Sequence, residues 1–435
     1  MFYINRILTM PEIFSLLNNQ LSLPYPFILD ELQSSTKEKY ILKDVMIKTV
    51  FAAETFNCNK PFFIVNDIAI LCDGKIYNYE ILYQELGIVP STDYDFEIII
   101  HLYKKYGIEY TLELLDGIYS FILIDFRLNN VNSSIYIARD PFGIKPLYIL
   151  RPNKNIKENN DFMNQNLYAF ATKNHILNKI KEKLDNNSNK NNYIIEEILP
   201  GTYSHFELNY KVLSSWKKIK YQIPYYTFEP GTIQMKLEPV IINTITLDYL
   251  KSAVEKRCIY KNISIILFES KESNIITKIA NEYFIKNYNI PIDTYSYIIN
   301  DENRDFYNNI GSNNIELQIT DEYIESEKEN INLLIKHDIM ELKDFYNWWF
   351  LAKRISIDKP NSLVLLNVGI DDVIEKRKNK SWIEYRFYCK NVFKNVYKNY
   401  LQYILKIFYY FGLEVDFPWL DRNIIQYFLS NNVSV

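Results

Sequence analysis

Glycine is the residue this chain does without, at 10 among 435 residues, where roughly 7% is ordinary. Loops that hold phosphates or oxyanions with backbone N–H groups need glycine where the backbone must come close or turn with φ > 0. Few such loops can exist here. Cysteine is as scarce: Cys58, Cys72, Cys258 and Cys389 lie far apart without a CxxC pair, which argues against a zinc site and a disulfide framework. Reduced thiols in the cytoplasm are the expectation. The four histidines are dispersed, so no metal site is expected. Positive charge is not in excess either, with 49 basic against 53 acidic side chains and a net charge of −4. That leaves no electrostatic footprint for nucleic acid and no polybasic patch for a membrane. No run approaches the roughly 18 apolar residues of a membrane span, and MFYINRILTMPEIF is not read as a secretory leader.

Hydrophobic residues are plentiful at 48%, and the length suits two domains that each bury a core. The 37 tyrosines and 26 phenylalanines, with abundant Ile, Lys and Asn, fit the codon bias of an AT-rich genome such as that of a large DNA virus or a parasite. A virion location therefore stays open beside the cytoplasmic one.

The first half reads as α+β with antiparallel sheets. FFIVNDIAIL (62–71) is strand-like, and a turn at Asp73-Gly74 leads into the helical NYEILYQEL. DFEIIIHLYKKYG (95–107) is an amphipathic helix closed by Gly107. GIYSFILIDF, SSIYIARD, KPLYIL and NLYAFAT follow as a meander of short strands. The polar 178–192 stretch is expected to be a mobile loop. The expected domains are 1–210 and 241–435, joined by a packed aromatic linker over 211–240. Beyond it, ISIILF (263–268) and SLVLLNV (362–368) alternate with helical stretches, the rhythm of a doubly wound parallel α/β sheet. Such sheets bind ligands at the carboxyl ends of their strands, here just after Phe268 and Val368.

Five runs, DGKIYNYEILYQEL (73–86), ELLDGIYSFILID (113–125), RDPFGIKPLY (139–148), PGTY (200–203) and GLEVDFPWLD (412–421), together resemble the glutamine-dependent asparagine synthetases. The resemblance covers nearly the whole chain in order, and RDPFGIKPLY is its most specific element. It implies an N-terminal αββα sandwich of the N-terminal-nucleophile amidotransferase kind. A doubly wound ATP-pyrophosphatase domain, similar to adenine nucleotide α-hydrolases, is implied to follow. In the family the first domain hydrolyses glutamine. The second activates aspartate as an adenylate and joins it to the ammonia.

The same resemblance locates the residues that would carry this chemistry and shows them changed. Phe2 occupies the position of the family's nucleophilic cysteine and has nothing to attack a carbonyl with. Thr49 stands where an arginine grips the glutamine carboxylate. The oxyanion Asn-Gly has become Asp73-Gly74, and losing one such donor costs ~3–4 kcal/mol of barrier. Asp95 matches the aspartate that pairs with the glutamine amine. Cys72, at the end of an apolar run, reads as packing. The family's glycine-rich phosphate loop aligns with Phe268, Glu269, Ser270, Lys271, Glu272, Ser273 and Asn274; both glycines are gone. Glu269 adds a repulsion of ~4 kcal/mol toward a phosphate at about 4 Å. In the second loop, Val368 replaces a glutamate while Gly369, Asp371 and Asp372 follow.

Other motifs have plainer readings. Arg139 and Asp140 are expected to organise a turn, and Trp348-Trp349 to lie in a helical core. The expectation is a catalytically inactive homologue kept as a scaffold or binding and assembly protein. Its partner would be another protein or a second copy, and it would need no cofactor. Two alternatives remain. One is an active asparagine synthetase, using Mg-ATP and either ammonia or glutamine through an atypical phosphate loop. The other is a glutamine sensor built on Gly74 and Asp95.

Overall fold

The computed structural model describes residues 12–18, 39–44, 49–54, 62–65, 67–127, 133–153, 167–188, 193–209, 215–228, 239–259, 261–268, 270–298, 312–334, 342–368 and 381–430. Phe2, Glu269, Gly369, Asp371 and Asp372 lie outside these residues. The chain divides into two compact units, Pro11–Thr227 and a second beginning at Phe228.

Short, largely apolar runs, buried on both faces in β5, β6 and β9, make the first unit a β structure. Its strands are β1 (Glu12–Leu17), β2 (Lys39–Asp44), β3 (Thr49–Glu54), β4 (Phe62–Val65), β5 (Ile68–Ile76), β6 (Gly117–Asp125), β7 (Ser134–Arg139), β8 (Tyr148–Pro152), β9 (Tyr168–Ala171), β10 (Tyr193–Glu197), β11 (Thr202–Asn209) and β12 (Ser215–Pro224). They form two six-stranded antiparallel sheets, β10-β8-β9-β1-β3-β2 and β12-β11-β7-β6-β5-β4. Helices α1 (Tyr79–Leu86), α2 (Glu97–Tyr106) and α3 (Ile108–Leu114) follow β5, and α4 (Asn174–Ser188) follows β9.

Side-chain parity sets the layers, because successive residues of a strand face opposite ways. Ala69, Leu71, Ile122 and Ile137 of one sheet share a core with Ile13, Leu17, Ile149 and Phe170 of the other. The opposite faces of β5 and β6, with Ile70, Cys72 and Phe121, bury Ile98, Ile99 and Leu102 of α2 and Leu112 of α3. On the other sheet, Phe14, Leu16 and Ala169 bury Ile176, Leu177, Ile180 and Leu184 of α4.

Four sequence expectations are corrected. The 62–71 run is a hairpin rather than one strand, turning at Asp67 with φ 62°. Asp73-Gly74 is not a turn; it lies inside β5, and the chain turns at Tyr77–Asn78. Most of the expected loop 178–192 is the end of α4, whose apolar residues at i, i+1, i+4 and i+8 outweigh its polar composition. Within the stretch 211–240, residues 215–224 are strand β12, paired with β11 from Thr202↔Pro224 to Asn209↔Ser215. There Trp216 is buried, and its backbone exchanges two hydrogen bonds with the Asn18 side chain.

The second unit contains α5 (Pro239–Glu255), β13 (Ile263–Ile266), α6 (Lys271–Tyr288), β14 (Asp293–Ile298), β15 (Asn313–Gln318), α7 (Asp321–Leu334), α8 (Leu342–Asp358) and β16 (Leu363–Leu365). A π-helical turn (Tyr397–Leu401) separates α9 (Trp382–Val396) from α10 (Gln402–Tyr410), and β17 (Glu414–Asp416) and α11 (Arg422–Ser430) follow. Its sheet has the order β15-β14-β13-β16-β17 and is parallel throughout. Trp348 and Trp349 of α8 are buried, the first edge-on to Phe268 and Phe408, the second against Tyr410 and Phe411. The GLEVDFPWLD run supplies Asp416 and Asp421, which hold Arg257 at 2.8 Å and 3.4 Å. Burial alone would raise the Asp421 carboxyl, but Lys256 and Arg257 hold it below the usual range. That run is therefore an anchor for the segment after α5.

Candidate functional site

The first candidate site is built at the end of β5. Asp73 follows Ala69 and Leu71 on the face toward the other sheet, buried, with its Oδ1 2.9 Å from the Lys145 Nζ. Lys145 is itself only 2% exposed. Gly74 is held at φ +150°, and a Cβ there would stand 2.1 Å from the Ile118 carbonyl oxygen of β6. Only glycine lets these strands approach so closely. Asp95 reaches back to the same strand, where its Oδ2 accepts the Ile76 N–H at 2.6 Å. Cys72 points the other way, into the core beneath α2 and α3. Burial pushes its thiol well up; Asp95 and Asp73 add to this and Lys145 pulls back. Such a thiol stays protonated and packs.

Lys145 is carried to Asp73 by the RDPFGIKPLY run. Arg139 is fully buried, and its guanidinium donates to the carbonyls of Lys145 at 2.7 Å, Ile198 at 2.6 Å and Gly143 at 2.6 Å. Glu197 adds an ion pair at 2.9 Å. Asp140 accepts the N–H groups of Phe142, Ile144 and Lys145. Gly143 has φ +70°, and a Cβ there would press on Pro200 at 2.6 Å. The motif is a braced turn, in line with the structural reading of Arg139 and Asp140. Asn78 does similar work nearby, donating to the Leu114 carbonyl and accepting the Asp116 N–H.

The Asp95 carboxyl has a pH signature. Burial pushes it from 3.8 up to about 6, against the pull of the Ile76 N–H and Lys75. A folded pKa above the unfolded value means that the fold holds a proton the unfolded chain releases. Stability from this group is therefore greatest at low pH and lost as pH rises toward 6, by up to ~3 kcal/mol. Asp95→Asn is expected to match the wild type in urea unfolding near pH 4 and to exceed it at pH 7. Equal stability at both pH values would show that the carboxyl is not perturbed.

In the second unit, Phe268, Ser270, Ser273 and Asn274 gather between the end of β13 and the start of α6. These described residues bond to one another. Ser270 caps α6 by accepting the Ser273 N–H at 3.1 Å, and the Ser273 hydroxyl accepts the Phe268 N–H at 3.0 Å. The Ser270 N–H donates to the Phe268 carbonyl and the Asn274 N–H to the Ser270 carbonyl. From the end of β16, Asn367 clips across to the Ser270 hydroxyl at 3.1 Å, and Val368 beside it is buried. Lys271 and Glu272 form the first helical residues of α6. The N–H groups of Phe268, Ser270 and Ser273 are thus spent on the protein, while that of Asn274 makes an ordinary i→i−4 helical bond. Phe268 packs edge-on to Trp348 and Tyr297. Among the described residues no group of three or more His, Cys, Asp or Glu side chains could hold a metal ion. No described helix is long and apolar enough to cross a membrane.

The structure brings Asp73, Gly74 and Asp95 to the end of β5, and joins Ser270 and Ser273 to Asn367, the neighbour of Val368 in sequence. Sequence reasoning missed Lys145 and Asn367, although both stand in quoted runs. A buried carboxylate calls for a cation, yet neither spacing nor periodicity says which one. Residues 50–157 match the family described as glutamine amidotransferase domain. They contain Asp73, Gly74, Asp95, Arg139, Asp140 and Lys145. Proteins named asparagine synthetase (glutamine-hydrolysing) are similar over most of the chain. The Rattus norvegicus protein is 26% identical over 393 residues, 83% of this chain, and the Gallus gallus protein 23% identical over 394 residues. The chain is a distant homologue of the asparagine synthetases. It spans 64% of the length of these relatives. In this asparagine synthetase homologue, the fold-bearing runs are retained as structural devices.

Proposed function

We propose that this asparagine synthetase homologue is catalytically silent and acts as a scaffold or assembly protein in the cytoplasm, through another protein or a second copy of itself. The first unit is read as the αββα sandwich of N-terminal-nucleophile amidotransferases. The second is read as a doubly wound domain of the adenine nucleotide α-hydrolase type. The observation that carries the reading is the loop at the start of α6, whose Phe268, Ser270 and Ser273 N–H groups already have acceptors in the chain. With these donors engaged the loop is a poor cradle for a triphosphate, so no step through ATP or Mg is derived. The Asp73–Lys145 pair supports the same reading for the first unit. A carboxylate there repels a developing oxyanion, and an Asp95 oxygen that would meet a glutamine amine accepts the Ile76 N–H.

The test is turnover. Incubation with Mg-ATP, aspartate and isotope-labelled ammonium is expected to give no labelled asparagine or AMP above that from a Glu269→Ala/Glu272→Ala preparation. Labelled asparagine that disappears in this variant would establish an active synthetase.

A further inference from the structure

The first unit carries a cleft that neither vestigial site uses. It has a volume of about 490 Å³ and lies between α1 and the loop that follows it, lined by Tyr79, Glu80, Tyr83, Gln84, residues 87–90, Thr92 and Asp93. That volume is within the roughly 300–1,000 Å³ of small-molecule sites. We propose that this cleft binds an organic cation, a guanidinium or alkylammonium group, against the Tyr79 ring and between the Glu80 and Asp93 carboxylates, with the buried Tyr83 as its floor.

Three observations converge on that chemistry. The lining holds two carboxylates and no Lys, Arg or His. Among the described residues neither Glu80 nor Asp93 has an ion-pair partner, and the Glu80 carboxylate accepts only the Tyr79 hydroxyl, at 3.1 Å. Glu80 and Asp93 are exposed, and an aromatic face beside such carboxylates offers a weakly hydrated cation a modest gain at each contact. The walls are also fixed before any ligand arrives. Glu97 is fully buried, and its carboxylate accepts the Ser91 N–H at 2.9 Å, the Thr92 N–H at 2.8 Å and the Thr92 hydroxyl at 2.6 Å, which pins the loop to the start of α2. On the opposite wall Gly87, at φ 67°, ends α1, and Tyr83 stands edge-on to His101, which itself contacts Glu97. A site held this way spends little on ordering itself. Glu97 is a positioning residue here; Tyr79, Glu80 and Asp93 make the contact. The inference stands whichever way the question of synthetase chemistry falls.

Titration calorimetry on the full chain tests it with three probes: spermidine, a ten-residue peptide carrying two arginines, and the same peptide with citrulline in place of arginine. At least one cationic probe is expected to bind, and the neutral peptide not to. Spermidine alone would identify a free polyamine as the source of the cation, and the peptide alone a protein segment. The Glu80→Gln/Asp93→Asn variant is expected to weaken binding about tenfold or more, and Tyr79→Leu several-fold at unchanged charge. Glu282→Gln/Glu322→Gln, which removes two exposed carboxylates from the other unit, should leave binding intact. Absence of binding by both cationic probes would overturn the proposal. So would equal binding by the Glu80/Asp93 variant and the wild type.

Discussion

Lys145→Met is expected to cost about 3–5 kcal/mol of folding stability, because it leaves the Asp73 carboxylate buried without its cation. Both partners are nearly inaccessible, at 2% and 3% of side-chain exposure, so solvent cannot substitute for the missing charge. Asp73→Asn alone should be costly in the same way, since it strands the ammonium. The double variant Asp73→Asn/Lys145→Met carries no charge at this point and should recover most of the loss. A urea-unfolding cycle of the four proteins reads the coupling directly. Additive losses with no recovery in the double variant would show that the ion pair is not what links these residues.

Arg139→Lys is expected to be as damaging, despite keeping the charge. A guanidinium reaches three carbonyl oxygens in fixed directions, those of Gly143, Lys145 and Ile198, and an ammonium on a shorter stem cannot satisfy all three. Each buried carbonyl left without its donor costs about 1–3 kcal/mol. The loss therefore reaches several kcal/mol, and the turn that delivers Lys145 loosens with it. Glu197→Gln, which removes only the partly exposed partner of Arg139, should cost about 1 kcal/mol or less. Thermal unfolding of the two variants separates the outcomes. Similar melting temperatures would mean that the ion pair, not the carbonyl brace, is the role of Arg139.

The layout of the fold was largely legible because burial writes itself into period. The apolar runs of β5, β6, β13 and β16 and the amphipathic α2 announce themselves. Composition was a poorer guide than spacing. The 178–192 stretch is polar enough to read as a loop, yet Ile180 and Leu184 fall on one helical face with Ile176 and Leu177 and are buried there. Asp73-Gly74 has the composition of a turn. In fact its glycine serves close strand contact, which depends on where Ile118 lies and so cannot be read locally. The changes at the two sites were visible as substitutions. Their consequences were not: that Asp73 is neutralised by Lys145, 72 positions on, and Ser270 is clipped by Asn367, 97 positions on, depends on tertiary contacts that no local pattern encodes. In the glycine-free loop at the start of α6, the Phe268, Ser270 and Ser273 N–H groups find acceptors within the chain.

Equilibrium dialysis of Mg-ATP against the full chain tests the central claim most directly, since the account rests on a loop whose Phe268, Ser270 and Ser273 N–H groups are already engaged. No saturable binding up to about 1 mM, equivalent to roughly −4 kcal/mol, is the predicted result, with Ser273→Ala behaving as the wild type. Saturable binding well below that concentration, weakened in Ser273→Ala, would contradict it and make this glycine-free loop a working phosphate site.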